Sequence, residues 1–74
     1  MVKRSLTLAD VKKVIVDEKS NKIILIAKRG NTKQIKVVRD KGIVDLLIYN
    51  GVIKLKDVVF MKNVKLQDIK KKYL

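Results

Sequence analysis

The chain has 74 residues, with 19 Lys and Arg against 7 Asp and Glu, a formal net charge of +12. It contains no Cys and no His, which excludes disulfides, thiolate metal sites and the commonest general base. A chain this short buries only about 60% of its unfolded surface, so a single thin-cored domain over 1–74 is expected.

The charge needs its own explanation. An AT-rich genome accounts for Arg appearing only at Arg4, Arg29 and Arg39. It does not account for the shortage of acids, and heat adaptation enriches Lys and Glu together. Charge this dense costs self-repulsion and favours a polyanionic partner, nucleic acid first and an anionic membrane surface second. No apolar run approaches the roughly 18–20 residues that span a bilayer. Met1-Val2-Lys3-Arg4 leads into amphipathic sequence without an apolar signal core. A cytoplasmic or nucleoid-associated protein, or one carried inside a viral particle, is expected.

In chain order, Thr7 with Asp10 three residues on can open a short helix, and Leu6 with Leu8 can equally start an edge strand. Glu18-Lys19-Ser20-Asn21 reads as a four-residue turn. It sets Val16 opposite Ile23, Ile15 opposite Ile24 and Val14 opposite Leu25. Gly30-Asn31 is a two-residue link that sets Ile26 opposite Ile35, Ile24 opposite Val37 and Lys28 opposite Lys33. Asp40-Lys41-Gly42 reads as a type I turn closed by a glycine bulge. Asn50-Gly51 supplies the positive φ angles of a hairpin turn between strands over 43–49 and 52–58. That register pairs Ile48 with Ile53, Leu46 with Leu55, and Asp45 with Lys56. Residues 58–61 continue the fifth strand or bend into a sixth. Asn63 caps a tail helix over 64–73, with Leu66, Ile69 and Tyr73 on one stripe.

The predicted fold is mainly β: a five- to six-stranded antiparallel meander, open or closed as a small SH3-like barrel, with a short C-terminal helix. This layout resembles the small SH3-like chromatin proteins of crenarchaea in architecture, without a shared motif. The chain departs from them in having no Trp and few Gly.

The registers sort the side chains into two faces. One carries Val14, Val16, Ile23, Leu25, Ala27, Val38, Val44, Leu46, Ile48, Ile53 and Leu55, interrupted by Lys36, and is the expected core. The other has an apolar centre of Ile15, Ile24, Ile26, Ile35, Val37, Leu47 and Val52 within a basic surround. Its candidate nucleic-acid-binding residues are Lys13, Lys28, Arg29, Lys33, Arg39, Tyr49, Lys54 and Lys56. Lysines on such a face neutralise phosphates and release counterions, which gives affinity without base reading. The competing reading is a solvated basic face that keeps the chain soluble. Tyr49 can stack on a base, or simply pack across from Val52. With so few Arg, guanine reading is poorly supplied, so duplex DNA bound with low sequence specificity is favoured over RNA and single strands.

Asp17-Glu18 and Asp45 are structural in this reading, and Lys70-Lys71-Lys72 is a solvated helix end. No enzymatic activity, metal, cofactor or small-molecule substrate is expected, and no membrane partner. The rival is a protein-interaction or inhibitor module, or a homodimer, using the apolar centre of the second face with the lysines as its rim.

Overall fold

Val and Ile dominate residues 11–27, and the links between the first strands are short enough to fix their pairing. The computed structural model describes residues 6–74, so Met1-Val2-Lys3-Arg4 lies outside the described residues. The elements are β1 (Val11–Asp17), β2 (Lys22–Arg29), β3 (Thr32–Val38), α1 (Gly42–Tyr49), β4 (Val58–Met61) and α2 (Leu66–Tyr73). A 3₁₀ turn precedes β1 at Leu8–Asp10 and another precedes β4 at Leu55–Asp57. The first of these realises the Thr7–Asp10 capping box as a single turn.

The two upstream registers are as expected. Val14 pairs with Leu25, Ile15 with Ile24 and Val16 with Ile23. Ile24 pairs with Val37, Ile26 with Ile35 and Lys28 with Lys33. Gly30 takes φ +60° in the two-residue link, and Asn21 takes φ +56° at the end of the four-residue turn. Asn tolerates that left-handed conformation better than most residues.

Downstream, the structure corrects the expectation. Residues 43–49 form helix α1, and no hairpin forms at Asn50-Gly51. The apolar run suits both periods: Val44, Leu46 and Ile48 alternate, while Ile43, Val44, Leu47 and Ile48 fall at helical spacing. The ends decide. At the start, the Asp40 carboxylate accepts the Gly42 N–H at 2.9 Å, and the Asp40 carbonyl accepts the Ile43 N–H at 3.3 Å. At the finish, the Gly51 N–H donates to the Ile48 carbonyl at 3.0 Å and the Val52 N–H to the Leu47 carbonyl at 2.9 Å. Gly51 sits at φ +73°, so these bonds make a Schellman cap. The positive φ that reads as a hairpin turn is spent on ending a helix. Leu47 is accordingly 2% exposed, whereas Leu46 is 50% and Leu55 is 71% exposed. The cross-strand pairs Ile48–Ile53, Leu46–Leu55 and Asp45–Lys56 are not made.

Helix α1 carries the chain across the sheet, which lets β4 pair parallel to β1. The result is a four-stranded mixed sheet of order β3-β2-β1-β4, open at both edges. It is neither a five- to six-stranded meander nor a closed SH3-like barrel, because 43–49 is no longer available as a strand.

Each sheet face is covered by one helix. Ile43, Val44, Leu47 and Ile48 of α1, with Ile53, pack on Val14, Val16, Ile23, Leu25 and Val58. On the other side, Ile69 of α2 and Val64 cover Ile15, Ile24 and Ile26. These three isoleucines are 1%, 2% and 6% exposed. The second face is therefore a second core at Ile15, Ile24 and Ile26, while Val37 on β3 stays 40% exposed. Leu47 and Val52, expected there, pack on the first face instead. The tail helix begins at Leu66, with Asn63 in a left-handed turn before it.

The helical phase of α1 makes a direct prediction. Leu47→Ala should cost about 3 kcal/mol in urea unfolding, because it opens a cavity in a packed core. Leu46→Ala should stay within about 0.5 kcal/mol, as exposed substitutions do. The reverse ranking would restore the strand.

Candidate nucleic-acid interface

The basic residues gather where α2 ends against the sheet. In a regular strand Lys12 and Lys13 point to opposite faces. Here the β1–β2 register slips between Val11 and Lys13, a β-bulge that lets both consecutive lysines line one groove. Lys28 and Lys33 enter it from β2 and β3, directly opposite one another. Lys72 and Tyr73 enter from the last turn of α2, and Ile26 and Ala27 form its apolar floor. The cavity measures about 450 Å³.

Tyr73 is half-buried at the centre of this charge. The Lys13 Nζ lies 5.4 Å from its ring centroid and the Lys72 Nζ lies 5.6 Å from it, so both ammonium groups engage the aromatic ring. Asp57 is the one acid that lines the groove, and its Oδ2 accepts the Lys54 backbone N–H at 2.9 Å. Among the described residues, the ion pair formed is Arg29–Asp10, and it takes none of the groove lysines.

The expected site residues divide accordingly. Lys13, Lys28 and Lys33 come together in the groove. Arg29 lies next to it in sequence but closes on Asp10, with its Nε 3.2 Å from Oδ1 and its Nη2 2.5 Å from Oδ2. That guanidinium holds the Asp10 carboxyl at about 2, with the Thr7 backbone N–H helping. Arg39 lies in the exposed link between β3 and α1. Tyr49 is 88% exposed at the end of α1, on the opposite layer from α2, and does not face Val52 across a hairpin. Lys54 precedes the 3₁₀ turn Leu55–Asp57 and Lys56 lies within it, not on a sheet face.

Three groove residues escape the sequence reading. Lys12 is concealed by the bulge, which leaves no mark in an alternating pattern. Lys72 and Tyr73 are read as helix end and core; only the docking of α2 brings them beside β1.

No family model, curated protein or solved structure matches the chain. The groove gathers five ammonium groups, from Lys12, Lys13, Lys28, Lys33 and Lys72, around one concavity.

Asp17 fixes the wall that α2 supplies. It is 2% exposed at the end of β1. Its Oδ1 accepts the backbone N–H of Lys19 at 3.0 Å and of Ser20 at 3.3 Å, and its Oδ2 accepts the Val64 N–H at 3.1 Å. Burial alone would raise its pKa. Hydrogen bonds from Ser20, Val64 and Lys19 outweigh burial and hold the carboxyl at about 2, below the ordinary 3.8. A carboxyl with a lower pKa in the folded state stabilises above the unfolded value and loses that contribution as pH falls. Thermal stability should therefore drop between about pH 4 and about pH 2. Asp17→Asn should lower the Tm at neutral pH, since an amide NH₂ cannot accept where an oxygen did. It should also flatten the acid limb. A variant with an unchanged acid limb would remove Asp17 from this role.

Proposed function

We propose that the protein binds nucleic acid, with DNA the first candidate, through lysine–phosphate contacts centred on this groove. The observation that carries the reading is the convergence of Lys12, Lys13, Lys28, Lys33 and Lys72 without a compensating ion pair. Lys28 and Lys33 are direct cross-strand neighbours, and like charges so placed destabilise a bare sheet. A bound phosphate relieves that repulsion. Solubility alone asks for dispersed charge, not for five cations around one concavity. Of the apolar centre on which the rival homodimer or protein-interaction surface rests, Ile15, Ile24 and Ile26 lie beneath α2, while Val37 stays 40% exposed. No helix among the described residues is long and apolar enough to cross a bilayer.

Fluorescence anisotropy with a short labelled duplex across a range of salt tests the proposal. Five neutralised phosphates give a log–log salt slope of about −4 to −5. Reversing Lys28, Lys33 and Lys72 to Glu should flatten that slope by about 3. Reversing Lys54 and Lys56, outside the groove, should change it less. Equal effects from both variants would show that net charge, and not the groove, governs binding.

A further inference from the structure

We infer that the groove takes a duplex by its sugar–phosphate backbone and reads no base; the inference rests on the nucleic-acid reading above and names its ligand. The strongest means of gripping a base are absent from the groove or already engaged there.

Stacking needs a free aromatic face. The groove's one aromatic, Tyr73, is half-buried and has two ammonium groups over its ring at 5.4 and 5.6 Å. A base arriving there would have to displace them. The exposed aromatics lie elsewhere. Tyr49 is on α1, across the sheet. Phe60 borders a separate cleft with Val44 and Val16, on the α1 side.

A guanine edge is gripped best by the fork of an arginine. Among the described residues no arginine lines the groove, and Arg29, beside Lys28 in sequence, donates through Nε and Nη2 to the two oxygens of Asp10. No Asn or Gln, the adenine readers, lines the groove. What remains is lysine, a compact charge on a flexible stem that suits phosphate and meets a guanine edge without the planar fork of an arginine.

Rigidity then separates duplex from single strand. Lys13, Lys28 and Lys33 stand on paired strands, so the sheet sets where their stems begin. Their flexible ammonium ends can each reach a phosphate of a polymer whose phosphates are fixed. A duplex carries one charge per roughly 1.7 Å of axis and is stiff over about 150 base pairs. A flexible single strand must be ordered to meet the array, and that ordering opposes binding. It gains no stacking in return.

Four labelled ligands test this at one salt concentration: an alternating A·T duplex, an alternating G·C duplex, a single strand of the same length, and inorganic polyphosphate. The two duplexes should agree within about twofold, where a base-reading contact would shift affinity by about 1–3 kcal/mol per pair. The single strand should bind at least about tenfold more weakly, beyond what its shallower salt slope of about −0.7 per phosphate explains. Tyr73→Leu, which removes the ring from the corner of the groove, should lower duplex and single-strand affinity by the same factor, since the engaged ring shapes the groove for both and stacks on a base of neither. Tighter binding to the single strand, with a loss in Tyr73→Leu confined to the single strand, would overturn the inference and leave the nucleic-acid reading standing. A large gap between the two duplexes would overturn it as well. Polyphosphate binding tighter than every nucleic acid, or no binding to any of the four, would overturn the nucleic-acid reading itself.

Discussion

One carboxylate holds the architecture together. Asp17 ends β1, caps the turn into β2, and receives the Val64 N–H from a position 47 residues later. The first two bonds are local and would form in an isolated hairpin. The third is not, and it fixes where the chain leaves β4 for α2. The neighbouring Glu18 N–H extends the seam by donating to the Met61 carbonyl at 2.9 Å. An eight-residue helix has little stability of its own, so α2 depends on this anchor and on the packing of Val64, Ile69 and Tyr73. Burying an aliphatic side chain such as Ile69 contributes about 1.5–3 kcal/mol, a modest hold for a whole element. Fixing its entry point lowers the entropy that this packing must overcome.

The groove inherits that dependence. One wall is sheet, built from the β1 bulge and the Lys28–Lys33 pair. The other is the last turn of α2. Neither wall alone has a concave shape, and Tyr73 fills the corner between them. The distribution of cations also separates two kinds of positive residue. Arg29 has its charge tied to Asp10 and fastens the turn Leu8–Asp10 to the end of β2. The lysines of the groove keep theirs for solvent or a ligand. A net charge of +12 does not distinguish these cases; their surroundings do.

Legibility in the sequence followed the range of the forces involved. The β1–β2 and β2–β3 registers could be read because short turns fix them and the flanking apolar residues agree. Asp17 could be assigned a structural role because it begins a turn. Residues 43–49 could not be settled by pattern, since Val, Leu and Ile there satisfy both a strand and a helix. The informative marks were the punctuation, Asp40 at the start and Gly51 at the end, spaced as a short helix needs. Asn50-Gly51 pointed toward a hairpin only because the same positive φ serves both structures. The covering of Ile15, Ile24 and Ile26 by α2 was out of reach, because period-two alternation shows which residues share a face but not what lies over it. Half of the groove was missed for the same reason: Lys12 needed a bulge and Lys72 needed a docked helix.

The division of the groove between sheet and helix would couple occupancy by the proposed ligand to folding. Undocking α2 carries Lys72 and Tyr73 away from Lys13 and leaves the remaining lysines on a flat surface. A polyanion bound across both walls, as proposed, would have affinity for the docked form and much less for the undocked one. By mass action it would stabilise docking by RT ln(1 + [L]/Kd) relative to the open form, about 2.7 kcal/mol at a hundredfold excess over Kd. That is comparable with the burial of Ile69. The helix that shapes the groove would then be held as firmly by what lies in it as by the core beneath, and the free and bound protein would differ chiefly in how often that seam opens.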